Sequence, residues 1–125
     1  MEPLFIKGTD KTPTVNFNNI SGQFELSGRS IPEDSIGFYK PIITYLEKYL
    51  AAPAKLTDFT INLEYFNTSS SKCMIDVFKV LEVIMIAGNE VVVNWFYEEE
   101  NEDMLEVGEG YSASTKVPFK MNMIK

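Results

Sequence analysis

The sequence contains no histidine. That absence excludes Ser-His-Asp and Cys-His catalysis, zinc sites with histidine ligands, and general bases that use an imidazole. Catalysis by carboxylates or lysine stays open at this point, because the chain has 18 Asp and Glu residues and 11 Lys and Arg residues.

Cysteine is almost as scarce, with Cys73 as the single example. An intramolecular disulfide is therefore excluded, and the place of Cys73 on the expected buried side of a helix favours a structural thiol. The first residues, Met1 to Leu4, have neither the basic nor the apolar region of a secretory signal. No apolar run is long enough to cross a bilayer. We expect a cytoplasmic location and no membrane insertion.

Basic residues are too few to balance the acidic ones, and the formal net charge is −7. Nucleic acid is therefore not expected as a partner, because a phosphate backbone is bound by a basic surface. A basic protein partner or a plain monomer suits this charge better. With 125 residues, 45% of them hydrophobic, the chain predicts a single domain over residues 1–125 with a proper core.

Short β-strand patterns fill the N-terminal part. Residues Leu4 to Ile6 are apolar, and two alternating runs, Thr14–Asn18 and Gln23–Gly28, flank a turn that contains Gly22. The two alternating runs predict an antiparallel hairpin. Further strands are predicted over residues 55–66, 91–97 and 117–123.

Two amphipathic helices are predicted between these strands. The first begins with a capping box in which Ser30 is the cap and Glu33 reaches back, and Pro41 either kinks this helix or divides it. The second runs from about Ser70 to Ala87, with Gly88 as its left-handed end. Core positions are predicted for most of the aromatic residues around the first helix and for the single tryptophan, namely Phe38, Tyr39, Tyr45, Tyr49 and Trp95.

Strand, helix and strand with short connections form a βαβ unit over residues 55–97, so its two strands are predicted to be parallel. The fold class is α/β, with α+β character. We predict a mixed sheet of five to six strands, in the order β-β-β-α-β-α-β-β, with two main helices on one face. The pattern around Asp103–Glu106 permits a further short helix, which this order leaves out.

Small hydrogen-bonding residues stand where the fourth predicted strand meets the second helix: Asn67, Thr68, Ser69, Ser70 and Ser71, followed by Lys72. The simplest interpretation is a helix N-cap, which needs one such residue. A helix start also favours an anion, and these hydroxyls can accept a phosphate. Chemistry alone leaves the four hydroxyl residues nearly equivalent. It also leaves Lys72 free to pair either with a phosphate or with a nearby glutamate.

An acidic segment, Glu98 to Asp103, follows the next strand, and Glu106 and Glu109 lie beyond it. The carboxyl ends of parallel strands share one edge of a sheet, so this segment is predicted at the same edge as the hydroxyl residues. The carboxylates could hold a divalent metal near a phosphate, although the EF-hand spacing is absent. Most acidic runs of this kind are simply solvated surfaces, and these carboxylates could also repel an added phosphate.

Several motifs together resemble one known family. The most specific is Tyr65-Phe66-Asn67-Thr68-Ser69-Ser70-Ser71-Lys72, and others occur at Lys11-Thr12-Pro13, Ile31-Pro32-Glu33, Phe38-Tyr39-Lys40-Pro41-Ile42, Trp95-Phe96-Tyr97-Glu98 and Glu106-Val107-Gly108-Glu109. In these motifs the chain resembles the SiaC family of bacterial regulatory phosphoproteins, over nearly its whole length. The fold and logic are also similar to those of anti-sigma-factor antagonists.

The resemblance implies a non-enzymatic switch in biofilm and aggregation control, with no cofactor and no catalytic residue. Thr68 matches the phosphorylated threonine of the family, and Asn67, Ser69, Ser70, Ser71 and Lys72 form the loop around it. A Ser/Thr kinase with a histidine-kinase-like fold is implied to add the phosphate, and a PP2C-type phosphatase to remove it. The unphosphorylated form is implied to activate a diguanylate cyclase and so raise cyclic di-GMP.

Two other functions stay open at this stage. One is a divalent-metal-binding module or small enzyme that uses the acidic residues from Glu98 to Glu109. The other is a structural subunit whose partner affinity does not depend on the state of Thr68.

Overall fold

A computed structural model describes the whole chain, Met1 to Lys125. It contains six strands and three helices, in the order β1 (Leu4–Ile6), β2 (Thr14–Asn18), β3 (Gln23–Ser30), α1 (Ser35–Tyr49), β4 (Leu56–Phe66), α2 (Thr68–Ile86), β5 (Glu90–Glu98), α3 (Glu102–Ser114) and β6 (Phe119–Ile124). No helix is both long enough and apolar enough to cross a membrane.

The strands form one sheet in which spatial order equals chain order, β1-β2-β3-β4-β5-β6. The pairs β1–β2 and β2–β3 are antiparallel, whereas β3–β4, β4–β5 and β5–β6 are parallel. The predicted mixed sheet, hairpin and parallel βαβ unit are confirmed. Each helical crossover moves one strand in the same direction, and such crossovers are right-handed, so all three helices lie on one face of the sheet.

Alternation along the strands separates the two faces of the sheet. One face carries the core, in which 23 buried residues form a single cluster that includes Phe24, Phe59 and Trp95. The opposite face is polar, and the aligned residues Asn16, Glu25, Thr60, Asn94 and Lys120 cross it from strand to strand. A sheet with helices on one side needs apolar side chains on that side alone, which explains the alternation.

Helix α3 is longer than the sequence predicts. The acidic segment was predicted as a loop with at most a short helix, but Glu102–Ser114 form a helix of 13 residues. Its two glycines and its serines have low helix propensity, so the sequence pattern is weak. Tertiary contacts stabilise the helix instead: Met104 and Tyr111 are buried, and the Trp95 indole donates to the Met104 carbonyl at 3.0 Å.

The predicted start of α1 is wrong. Ser30 is not a helix cap but the last residue of β3, where it pairs with Phe66 of β4. The cap is Asp34, whose carboxylate accepts from the Gly37 amide at 3.0 Å. The helix continues through Pro41, so the chain is not divided there. The second helix also begins earlier than predicted, at Thr68, while Gly88 follows it with the expected left-handed φ of +108°.

Candidate functional site

A β-bulge determines how β4 passes into α2. Gly28 of β3 pairs with Leu63, but the next residue, Arg29, pairs with Tyr65, so β4 has one extra residue at Glu64. The bulge shifts the alternation by one position. As a result Tyr65 is exposed, whereas Phe66 packs against the Trp95 ring at a centroid distance of 6.3 Å. Asn67 then follows at the junction of strand and helix.

Asn67 is the N-cap of α2. Its side-chain oxygen accepts from the Ser70 amide at 2.9 Å, and its carbonyl accepts from the Ser71 amide at 3.0 Å. A helix start has amides with no partner inside the helix, and here the Asn67 side chain satisfies that of Ser70, while the Ser71 amide makes the first hydrogen bond of the helix itself. The amides of Thr68 and Ser69 remain for an added acceptor. The predicted N-cap and the predicted anion-favouring helix start therefore occupy the same turn.

Ser70 is fully buried and belongs to a chain of hydroxyl hydrogen bonds. The Tyr39 phenol and the Ser30 hydroxyl share a bond of 2.7 Å, the Ser30 hydroxyl donates to the Ser70 hydroxyl at 2.9 Å, and Ser70 donates to the Ser30 carbonyl at 3.1 Å. Every hydroxyl in this chain is used by protein groups. Ser70 therefore holds α2 against β3 and α1, and it is inaccessible to a kinase.

The neighbouring serines are also engaged. The Ser69 and Ser35 hydroxyls are 2.9 Å apart, which joins the first turn of α2 to the first turn of α1. The Ser71 hydroxyl bonds to the Tyr111 phenol, which in turn donates to the Ser71 carbonyl at 3.0 Å and joins α2 to α3. The first turn of α2 is thus bonded to both neighbouring helices. We call this group the hydroxyl corner; it consists of Ser30, Ser35, Tyr39, Thr68, Ser69, Ser70, Ser71 and Tyr111.

Thr68 differs from these three serines. It is exposed at the first position of α2, and none of the hydroxyl bonds of this corner passes through it. Lys72 lies one turn further along and is also exposed. The single ion pair of the structure joins Lys11 to Glu33, so Lys72 has no glutamate partner. Residues four apart on a helix are neighbours, which places the Lys72 ammonium group on the same side as Thr68.

Three titratable side chains around the start of α2 have a raised pKa, namely Tyr39, Tyr111 and Cys73. Burial raises the pKa of Tyr39 to about 12, and it also raises the pKa of Tyr111. Both phenols therefore stay protonated and act as hydrogen-bond donors. Burial likewise raises the pKa of the Cys73 thiol, as expected for a structural cysteine.

The acidic segment does not converge on a cation site. Glu98, Glu99 and Glu100 end β5 and enter the following turn, and Glu102 and Asp103 open α3, all exposed to solvent. No group of three or more His, Cys, Asp or Glu side chains is placed to hold a metal ion. Carboxylates in the first turn of a helix interact favourably with its dipole, which accounts for Glu102 and Asp103. The link between α3 and the hydroxyl corner is Tyr111 rather than a carboxylate.

Helix α2 presents an unusual outer surface. Six residues spaced three or four apart face solvent along its whole length; we call them the α2 ridge, and they are Thr68, Lys72, Ile75, Lys79, Val83 and Ile86. The three apolar members are 43%, 50% and 68% exposed. A groove of about 260 Å³ separates the ridge from α1, and one of about 250 Å³ separates it from α3. Ile75, Val83 and Ile86 are thus accessible to another molecule along one side of α2.

Comparison with known proteins identifies the family. The sequence model of one protein family, described as SiaC family regulatory phosphoprotein, matches residues 6–124. The chain belongs to the SiaC family. An uncharacterized protein of Pseudomonas aeruginosa strain UCBPP-PA14 is 32% identical over 119 residues, which is 95% of this chain and 94% of that protein.

Solved SiaC structures have the same fold. Apo-SiaC of Pseudomonas aeruginosa is 30% identical and superposes with a TM-score of 0.91 over 98% of this chain and 99% of that one. SiaC has also been crystallised in complex with the diguanylate cyclase SiaD, which it activates; that SiaC is 30% identical, with a TM-score of 0.90 over 97% and 99% of the two chains. The family prediction is therefore confirmed.

Four residues of the hydroxyl network lie outside the segment that the sequence of this SiaC-family chain indicates: Ser30, Ser35, Tyr39 and Tyr111. Ser30 was interpreted as a helix cap, Tyr39 as plain core, and Ser35 and Tyr111 were not singled out. All four are distant in sequence from Asn67–Ser71 and contact this segment only after the sheet has formed and the helices have packed on it. One clue was present: Ser35 and Tyr39 are four residues apart and so share a helix face.

Proposed function

We propose that this protein is a non-enzymatic phosphoswitch adaptor that binds and activates a diguanylate cyclase and so raises cyclic di-GMP and promotes biofilm formation and aggregation. The observation that carries the proposal is the match, over nearly the whole chain, to a SiaC that has been crystallised with the cyclase SiaD as its activator. The exposed position of Thr68 at the start of α2 fits the same proposal, since a switch residue must be reached by the enzymes that modify it.

Thr68 is the proposed phosphate acceptor. A kinase needs an accessible hydroxyl, and among the four candidates Thr68 alone is both exposed and outside the hydrogen-bond network. After transfer, the free amides of Thr68 and Ser69 and the Lys72 ammonium group are the nearest groups that can stabilise the phosphate. Ser69, Ser70 and Ser71 hold the turn in place, and Asn67 caps it.

The partner enzymes carry the chemistry of the switch. A Ser/Thr kinase with a histidine-kinase-like fold forms a bond between the Thr68 oxygen and the γ-phosphorus of ATP; ADP leaves, and the hydroxyl proton passes to a base of the kinase. A PP2C-type phosphatase transfers the group to water and regenerates the hydroxyl. The proposed location is the cytoplasm, where ATP is available and where Cys73 stays a free thiol.

The α2 ridge is the proposed cyclase-binding surface. It begins at Thr68 and continues through exposed isoleucine and valine side chains, which suit an apolar partner surface. A phosphate adds about −1.5 to −2 charges at one end of the ridge. Docking would then bury a strongly hydrated group, so binding is weakened both by charge and by desolvation.

Two measurements test the proposal. Incubation with the kinase and ATP, followed by mass spectrometry, should locate phosphate on Thr68 and leave Thr68→Ala unmodified; phosphate found only elsewhere contradicts the site. A pull-down should then retain the cyclase on the unmodified protein and lose it on the phosphorylated protein. Equal retention of both forms would favour a structural subunit instead.

A further inference from the structure

The first turn of α1 is attached to the hydroxyl corner through its buried side chains. Of the six residues from Ser35 to Lys40, only Ser35 and Tyr39 are buried, and the other four are exposed or half-buried. The Ser35 hydroxyl contacts the Ser69 hydroxyl at 2.9 Å, and the Tyr39 phenol reaches Ser70 through Ser30. Both anchors of this turn therefore end in the first turn of α2.

The same turn has weak support of its own. Gly37 has low helix propensity. Pro41 lacks an amide hydrogen, so the Gly37 carbonyl receives no helical hydrogen bond from four residues later. Ile36 is 76% exposed and contributes little to the core. Core packing of this turn comes from Tyr39 and the half-buried Phe38 alone, so the hydroxyl bonds to α2 contribute to its order as well.

We propose that the first turn of α1 is the responding half of the switch: phosphorylation of Thr68 breaks the hydrogen bond between Ser69 and Ser35 and releases the turn. This inference rests on the proposed function, in which Thr68 is the acceptor. Ile36, Tyr39 and Lys40 line the groove between α1 and α2. Release of the turn removes one wall of that groove, so the partner loses a docking surface as well as meeting a new charge.

The chemistry of the hydroxyl corner explains why phosphorylation draws Ser69 away from Ser35. Phosphate oxygens are stronger acceptors than a hydroxyl oxygen, and Ser69 offers both an amide and a hydroxyl beside position 68. When Ser69 turns to the phosphate, the Ser35 hydroxyl loses its 2.9 Å partner and keeps only longer contacts, at 3.4 Å to the Ser70 hydroxyl and 3.5 Å to the Asn67 side-chain oxygen. The exposed carboxylates of Glu33 and Asp34 lie directly before α1 and repel the phosphate, while the nearest cation along α2, Lys72, lies on the other helix.

Amide hydrogen exchange followed by mass spectrometry tests the inference without a kinase. Four proteins are compared: the unmodified chain, the chain with phosphothreonine incorporated at position 68 during translation, Ser35→Ala and Ser69→Ala. In each of the three altered proteins, the loss of one neutral hydrogen bond should make exchange at the amides of Phe38, Tyr39 and Lys40 about fivefold faster than in the unmodified chain. Exchange in β5 should not change. Ser114→Ala, which removes a hydroxyl bond within α3, is the matched control and should leave α1 unaffected.

Exchange at these three amides that is unchanged or slower in the phosphothreonine protein overturns the inference. So does unchanged exchange in both alanine variants. Cyclase binding separates this result from the proposed function. If the phosphothreonine protein binds the cyclase as tightly as the unmodified chain, the proposed function fails, whereas the exchange data still decide the coupling between the two helices. Weaker cyclase binding by unphosphorylated Ser35→Ala, in which no charge has been added, supports the inference directly.

Discussion

The Tyr111 phenol of α3 donates to the Ser71 carbonyl of α2 at 3.0 Å. The same phenol bonds to the Ser71 hydroxyl, so one side chain satisfies two groups in the first turn of α2. Its ring packs edge-on against Phe78 and Trp95, at centroid distances of 5.0 and 5.7 Å. Tyr111 therefore ties the last helix to the hydroxyl corner and to the core at once.

Tyr111→Phe should lower the free energy of unfolding by about 1–2 kcal/mol, because the ring stays packed while its two hydrogen bonds to Ser71 are lost. Urea denaturation measures the change. Tyr97→Phe is the matched control, since the Tyr97 hydroxyl is not part of this network, and its effect should be within about 0.5 kcal/mol. Equal effects of the two substitutions would show that the bonds to Ser71 contribute nothing.

Gly108 allows α3 to approach the Trp95 ring. A Cβ atom at this position would lie 2.5 Å from the indole, so Gly108→Ala forces the ring or the helix to move. The substitution should lower the free energy of unfolding by about 1–3 kcal/mol. The tryptophan fluorescence spectrum should shift as well. Gly110→Ala in the same helix meets nothing within 4 Å and should be neutral or stabilise by up to about 1 kcal/mol, through helix propensity alone. A destabilising Gly110→Ala would contradict this explanation.

Asn67→Ala removes the cap of α2 and should cost about 1 kcal/mol or more, because the side-chain oxygen bonds to the Ser70 amide and also accepts from Ser69 at 3.3 Å. Asn67→Asp keeps an oxygen at that position and should retain most of the stability. Thermal unfolding of both variants, monitored by circular dichroism, checks the order. If aspartate proved as damaging as alanine, the amide nitrogen, which donates to the Pro32 carbonyl, would be the important group.

Stability should fall between about pH 10 and pH 12. The pKa of Tyr39 is raised to about 12 by burial in the folded protein, whereas in the unfolded chain it is 10.0. Above pH 10 the unfolded state loses the proton first, so unfolding becomes more favourable as the pH rises. Two pH units correspond to at most about 2–3 kcal/mol. In urea denaturation, Tyr39→Phe should make the fall of the unfolding free energy between about pH 10 and pH 12 less steep. Tyr65→Phe, at an exposed position, should leave that fall unchanged.

The α2 ridge should bind the cyclase through its apolar residues. Ile75→Glu places a charge in the middle of the ridge and should weaken binding at least tenfold, with little effect on stability because the residue is 43% exposed. Ile20→Glu is the control: this isoleucine is 78% exposed in the turn between β2 and β3, away from α2. Isothermal titration calorimetry measures both. Equal weakening by the two variants would indicate a general charge effect and not a docking surface.

Periodicity was sufficient to predict most of the fold. Alternation in β2 to β5 and the apolar stripe of α2 both result from burial of one face, and burial is a property that a local pattern records. Helix α3 could not be predicted in the same way. Its residues around Gly108 have low propensity, and the contact that favours them, the Trp95 indole on the Met104 carbonyl, exists only after β5 is in the sheet.

From residue chemistry the candidate site could be predicted only as a segment, and the choice of Thr68 within it came from the family resemblance. The run Asn67–Ser71 indicates a cap and several hydroxyls, but not which hydroxyl is free. That distinction depends on Ser30, Ser35 and Tyr111, whose bonds bury or occupy three of the four. The start of α1 was misplaced for the same reason, because pairing of Ser30 with Phe66 extends β3 by two residues and outweighs a local capping pattern.

The agreement of strand order with chain order has a consequence for synthesis on the ribosome. Each strand from β2 onward can add to the one made before it, and no strand has to insert between two that have already paired. Ser30, Ser35 and Tyr39 emerge before α2, so most partners of the corner are present when Thr68 appears. Tyr111 emerges later, after α2 and β5. The corner is therefore completed last by α3, and a nascent chain that ends before this helix would present Thr68 on a turn still missing its bond to Tyr111.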